Sequence, residues 1–241
     1  MITSRQNSFI KEVRSLSDKK ARDKTGWYVA EGVKMVKEAS SNKNVDVLFV
    51  VGIKEKLDLI DCPTDKKVEV DTQVFSSITA EVSPEGVLAV IKKPENKLTS
   101  PNGKCLFLDG VSDPANVGAI IRTAVCAGFL DVYCVNTADP FSPKSVRASM
   151  GGIYRANVVS GKREEIISLI DKPFIVADMG GVNVYDFNIG KDFCLVIGNE
   201  ANGVSNELKE KADYVVSIPM QNGMESLNAS VSAGILMYLL K

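Results

Sequence analysis

From Lys104 to Lys241 the chain alternates short apolar runs with helix-period segments, and this alternation limits the possible folds more than any other feature. The strand-like runs are CLFLDG, DVYCVN, PFIVAD, FCLVIG and YVVSIP. Between and after them come PANVGAIIRTAVCAG, SPKSVRASMG, REEIISLI, VSNELKEKA and SLNASVSAGILMYLL. Short apolar strands alternating with helices predict an α/β domain built on a mostly parallel sheet covered on both faces. Asp113-Pro114 and Ser142-Pro143 each set a capping side chain before a proline suited to the first helical position. Ser205 offers a cap to the following helix in the same way. Ligands of such sheets lie beyond the carboxyl ends of the strands, so the loops that follow the strands are where function is sought.

The segment KKPENKLTSPNGK, Lys92 to Lys104, is rich in Pro, Asn, Lys and Ser and reads as a connection between domains. This gives a domain over 1–95, a linker over 96–103 and a second domain over 104–241. The first domain opens with a basic amphipathic segment, apolar at Phe9, Ile10, Val13 and Leu16. YVAEG, the helical VKMVKEAS, the strand-like VDVLFVVG and the closing SPEGVLAVIKK then suggest a small α/β sandwich without a catalytic constellation.

The chain contains no histidine, which excludes Ser-His-Asp catalysis, histidine-ligated metals and an imidazole base. Five cysteines (Cys62, Cys105, Cys126, Cys134, Cys194) are widely spaced with no CxxC pair, so reduced thiols in the cytoplasm are expected and no metal site. No apolar run approaches the roughly 20 residues needed to span a membrane, and the N-terminus lacks the layout of a signal peptide. The net charge of −1 hides two basic patches. One, within residues 1–24, includes Arg5, Lys11 and Arg14. The other, within 140–163, includes Lys144, Arg147 and Arg155 and has no acid at all. Both suit contact with a phosphate backbone, and both also read as solvated faces.

Three segments after strands carry possible chemistry. In LDGVSDPANVGAIIRTAVCAGF, Asn116 lies in the first turn of a helix and Arg122 is the only charge between Asp113 and Asp131. A guanidinium in so apolar a run is expected to be buried, and then either paired across a helix interface or facing a cleft. In LVIGNEANGVSNEL, Gly198, Asn199, Glu200 and Gly203 form a turn where backbone can approach a ligand; it lacks GxGxxG and is not a Walker loop. In IPMQNGMESLNASVSAGILMYLL, Ser226, Asn228, Ser230 and Ser232 crowd the front of an otherwise apolar helix. They serve as caps or as a ligand seat at its unsatisfied N–H groups.

In order and spacing these segments resemble the three motifs of the SpoU (TrmH) family of RNA 2′-O-methyltransferases, within the SPOUT class. The matching residues are Asp113-Pro114, Asn116, Gly118 and Arg122; then Gly198, Asn199, Glu200 and Gly203; then Ile218-Pro219-Met220 and Ser226-Leu227-Asn228. DPFSPKSVRASMGG resembles the family's basic loop. SRQNSFIKEVRSL, YVAEG and SPEGVLAV resemble its accessory substrate-binding domain, a fold related to small ribosomal RNA-binding proteins. Ala201 departs from a position where the family often has glycine.

The resemblance implies a parallel-sheet domain with a deep trefoil knot, a rare exception to the rule against threaded chains. It implies S-adenosylmethionine held by Gly198, Asn199, Ile218, Met220 and Leu227. It further implies a homodimer with the active site at its interface, and structured RNA as substrate, ribosomal RNA before transfer RNA. Asn116, Arg122, Glu200, Ser226 and Asn228 become the catalytic candidates. A guanidinium is a poor base, so Arg122 is expected to position a phosphate and stabilise the developing alkoxide, with Glu200 orienting Arg122 or the ribose. The alternative is a non-catalytic RNA-binding or ribosome-assembly factor that kept the fold.

Overall fold

The computed structural model describes residues 1–240. In chain order the first elements are α1 (Ser8–Ser15), α2 (Lys19–Thr25), β1 (Trp27–Glu31), α3 (Val33–Ser41), β2 (Val47–Gly52), α4 (Lys54–Leu57), β3 (Lys67–Glu69), α5 (Thr72–Phe75) and β4 (Val87–Lys92). Then follow β5 (Cys105–Asp109), α6 (Pro114–Ala127), β6 (Asp131–Val135), α7 (Pro143–Ser149), β7 (Asn157–Ser160), α8 (Arg163–Leu169) and β8 (Phe174–Asn183). The last are β9 (Cys194–Gly198), α9 (Asn206–Glu210), β10 (Tyr214–Ser217) and α10 (Ala229–Leu239). These elements form two compact units. One is Met1–Glu95 with Phe141–Tyr154, the other Asn96–Pro140 with Arg155–Lys241.

The first unit is the expected small α/β fold, with strand order β1-β4-β2-β3 and only β2–β3 parallel. The apolar stripe of the opening helix buries Ile10, Val13 and Leu16 against Val29, Val51, Leu88 and Val90 of the sheet, while Phe9 packs edge-on to Phe49. Segment 141–154, which the sequence places in the C-terminal half, packs here. α7 lies on β1, the Phe141 ring meets Tyr28, and the Tyr154 hydroxyl donates to the Met35 carbonyl at 3.3 Å.

The second unit is the parallel sheet that the alternation predicts, in the order β10-β8-β9-β5-β6-β7 with every pair parallel. β5, β6 and β9 are apolar on both faces and buried almost throughout, as a doubly covered sheet requires. Asp113 and Ser142 cap as expected, accepting from the Ala115 and Ser145 N–H groups. Ser205 corrects the expectation: it stands at the N-cap position of α9, but its hydroxyl is buried without a partner. One strand was missed. NVVS is too short to signal itself, yet forms the edge strand β7. The linker is pinned along this edge, where Asn96 exchanges two hydrogen bonds with Ser160 and Thr99 accepts from the Tyr133 hydroxyl.

The chain runs outward from β5 through β6 to β7, then crosses to the far side of β9. The strand order therefore reverses between β5 and β9. Their two following loops open side by side at their carboxyl ends, where open α/β sheets bind ligands. β8 and β10 lose register between Val176/Val215 and Val182/Val216, so residues 177–181 bulge out at the same end.

Candidate active site

The loop after β9 is a closed turn. The Asn199 N–H donates to the Gly203 carbonyl at 2.9 Å, and the Gly203 N–H returns a bond to Asn199 at 3.0 Å. The Asn199 side-chain oxygen accepts from the Ala201 and Asn202 N–H groups inside the turn. Gly203 sits at φ +67°, a conformation costly for other residues, and a Cβ on Gly198 would collide with the Gly203–Val204 backbone. Both glycines are therefore demanded by geometry.

External bonds tie this turn to the segment after β5. The Asn199 side-chain amide donates to the Gly110 carbonyl at 2.8 Å. The Ser205 N–H donates to the carboxylate of Asp109 at 2.8 Å, and the other oxygen of Asp109 takes Arg163 at 2.7 Å. At the tip, Glu200 accepts from the Ser112 N–H (3.0 Å), the Ser112 hydroxyl (2.8 Å), the Asp113 N–H (3.2 Å) and the Asn116 amide (2.9 Å). Partial burial opposes ionisation of Glu200, but the bonds from Asn116 and Ser112 outweigh it and hold the carboxyl at about 2.

The third segment joins through Asn228. Its side-chain amide donates to the Asn116 side-chain oxygen at 3.0 Å, while its own oxygen caps α10 by accepting from Ser230 and Val231. Glu200, Asn116 and Asn228 thus form one directional relay linking three loops.

A cleft opens beside the relay. Gly198, Asn199, Ile218, Met220 and Leu227 all line it, as do Glu200 and Ser226. Ile197, Val216 and Leu236 give it an apolar floor, and Ser217, Ser226 and Ser232 a polar rim. Asp178 from the bulge and Lys209 from α9 meet at 2.6 Å on its wall. Ser226 is exposed and makes no hydrogen bond among the described residues, so it belongs to the cleft and not to the relay.

Arg122 departs from the expectation. It is exposed, and it makes no ion pair among the described residues. It follows Asn116 by six positions, about 240° around the helix and about 9 Å along it, so the two leave α6 on different sides. Glu200 consequently orients Asn116 and the Ser112–Asp113 backbone, not Arg122. An apolar flank signals burial only if both faces of the helix are covered, and this face is open.

The basic candidates differ in exposure and in known partners. Lys11, Lys144 and Arg155 are exposed. Arg5 donates to the Gln73 carbonyl at 3.2 Å, Arg14 donates to the Ser77 carbonyl (2.8 Å) and hydroxyl (2.7 Å), and Arg147 pairs with Glu81. Sequence reasoning passed over Asp109, Ser112, Asp178 and Lys209. For Asp109 a signal existed, since it is a carboxylate ending an otherwise apolar strand. The ion pair of Asp178 and Lys209 joins distant segments and leaves no local trace.

A three-motif relay beside a cleft over the carboxyl ends of β8, β9 and β10 in a parallel sheet is the arrangement of one class of RNA-modifying protein. The profile of the SpoU rRNA Methylase family matches residues 103–238, and that of the MRM3-like substrate binding domain matches residues 7–89. The chain belongs to the SpoU rRNA methylase family. It is 33% identical, over 100% of its length and 98% of the relative's, to the 23S rRNA (guanosine(2553)-2′-O)-methyltransferase RlmP of Bacillus subtilis (strain 168). The AdoMet-bound rRNA methyltransferase of Sinorhizobium meliloti superposes with a TM-score of 0.88 at 29% identity, covering 99% of this chain and 95% of that one. The SpoU methyltransferase AviRb of Streptomyces viridochromogenes, at 24% identity over 97% of each chain and TM-score 0.88, shares the fold.

Proposed function

We propose that this protein methylates a ribose 2′-hydroxyl of ribosomal RNA with S-adenosylmethionine as donor. The observation that carries this reading is the Glu200–Asn116–Asn228 relay, which meets at Glu200 the edge of a cleft formed by the bulge of β8, the turn after β9 and the segment between β10 and α10. The cleft fits the cofactor: an apolar floor for a nucleoside, a polar rim, and bare backbone at Gly198 where no side chain fits. Gly198, Asn199, Ile218, Met220 and Leu227 would hold it, and when bound it supplies a methyl group on a sulfonium. The relatives named for 23S rRNA support ribosomal RNA over transfer RNA.

The residues of the chain align and polarise. Glu200 has its oxygens committed to four donors and stays ionised, so it serves as an anchor and not as a base. Asn116 and Asn228 are held in fixed amide orientations that shape the seat of the ribose, with Ser226 beside them. Arg122, exposed and on a different side of α6 from Asn116, would reach the RNA phosphate and the developing alkoxide across the homodimer interface. Lys11, Lys144 and Arg155, with Arg5, Arg14 and Arg147, furnish cationic surface for the RNA backbone. The 2′-hydroxyl requirement selects RNA over DNA.

The homodimer is supported by α10, where Val231 and Tyr238, seven residues apart, are 49% and 59% exposed on an otherwise apolar helix. A knot is supported by the path of the chain. β10 lies beyond β8 at the edge, yet Asn228 returns to Asn116 and α10 packs on α6. A reducing cytoplasm suits the five free thiols.

The test is transfer of tritiated methyl to 23S rRNA, transfer RNA and DNA, with the product mapped as an alkali-resistant nucleotide. Label confined to a 2′-O-methylated position of 23S rRNA is expected. Failure to bind S-adenosylmethionine overturns the reading in favour of a non-catalytic RNA-binding or assembly factor.

A further inference from the structure

We propose that Asp109 is a positioning residue which, with Arg163, sets the tilt of the 199–205 turn and hence the affinity for the cofactor. The inference rests on the cofactor reading above. Asp109 does not line the cleft, and it is 3% exposed, so any influence on a ligand must pass through what it holds. What it holds is the exit of the turn, through the Ser205 N–H.

The turn is closed on itself by the paired Asn199–Gly203 bonds, so it moves as a unit. Its orientation is then set from outside. The contacts through Glu200 and Asn199 reach loop residues, Ser112, Asp113 and Gly110, and helix residue Asn116. Of the hydrogen bonds that tie down the turn, the one through Ser205 reaches a strand in the middle of the sheet, at the last residue of β5.

Arg163 completes the clasp. It gives one N–H to Asp109 at 2.7 Å and approaches Glu207 of α9 at 3.5 Å, while its Nε is buried without a partner. The guanidinium is thus placed for Asp109 at the expense of its own bonding. The result is a ring through Asp109, Arg163, Glu207 and Ser205 that grips the chain where it leaves the cleft.

Binding of S-adenosylhomocysteine by calorimetry, with KM and kcat for methyl transfer and a melting curve for each variant, tests this. Asp109→Asn keeps the size and removes the charge; Kd and the cofactor KM should rise about tenfold or more, and by a larger factor than kcat falls. Adding Arg163→Gln restores a neutral hydrogen-bonded pair, and Kd should return to within about threefold of the wild type. Ser205→Pro deletes the N–H together with a hydroxyl that has no partner, at a φ already near −61°, and should weaken binding as Asp109→Asn does. It carries the test alone should Asp109→Asn not fold. Unchanged Kd in Asp109→Asn and Ser205→Pro, with or without a lower melting point, overturns the proposal and leaves Asp109 as a fold-stabilising residue. A wild-type protein that does not bind S-adenosylhomocysteine instead takes down the cofactor reading, and this inference with it.

Discussion

The side-chain nitrogen of Asn116 lies 2.9 Å from Oε1 of Glu200, joining two loops 84 residues apart in sequence. A carboxylate only accepts, so it dictates which end of the Asn116 amide faces it. The other end then dictates Asn228, at 3.0 Å, and Asn228 caps α10. One negative charge therefore fixes the polarity of three loops.

Glu200→Gln should break this order, because a glutamine amide can present a donor where a donor already points. We expect methyl transfer to fall tenfold or more, and stability by roughly 1 kcal/mol after allowing for solvent exposure. The Glu200 carboxyl is shifted down from 4.5 to about 2, so its contribution is complete above about pH 4.5 and is lost as pH falls towards 2. Calorimetric melts from pH 6 down to about 2 should show the gap between wild type and variant closing across that interval. A gap that stays constant would contradict the charge-based account.

Arg122→Ala should abolish methylation, by roughly 100-fold or more, while the melting point and calorimetric cofactor affinity stay near wild type. The exposed side chain contributes nothing to the core that its loss would disturb. Arg122→Lys should not restore the rate, since an ammonium cannot reproduce the planar fork. A variant with normal turnover removes Arg122 from the mechanism.

Gly198→Ala drives a methyl group into the Gly203–Val204 backbone and should cost about 1–3 kcal/mol along with cofactor binding. Gly180→Ala, with nothing within 4 Å of its added Cβ, should be silent in both measurements. Equal effects at the two positions would show that the close approach at Gly198 does not matter.

Arg14→Ala and Lys11→Ala should separate structure from RNA contact. Arg14 donates to both the carbonyl and hydroxyl of Ser77, so its loss should lower stability by about 1–2 kcal/mol. Lys11 is exposed, and its loss should leave the melt unchanged while reducing the slope of log K against log salt for RNA binding by about 0.7–0.9. Filter binding across a salt series, beside thermal melts, reads both.

The middle of the sheet was legible because β5, β6 and β9 are buried on both faces, so apolar composition alone declares a parallel strand there. β7 was not, because four residues at an edge carry half that burial. Asn116, Glu200 and Asn228 were recognisable as motif members, but their mutual bonds follow from strand order, which local pattern does not encode. Arg122 was misread as buried because an apolar helix sequence looks the same whether its far face meets protein or solvent. Asp109 was visible as an acid closing an apolar strand; Arg163, its partner, sits 54 residues away with nothing to mark it.

The passage of Phe141–Tyr154 through the first unit sets a clock on synthesis. Tyr28 and Met35 are made early, yet Phe141 and Tyr154, which they meet in the finished protein, come much later. At about 5–20 residues per second, a ribosome takes about 3–12 s to travel from residue 95 to residue 154. For that interval the emerging first unit lacks α7 on its edge strand β1 and holds unfinished apolar surface. β5, α6 and β6 are all translated before that surface can be closed, so the second unit begins to emerge before the first is complete.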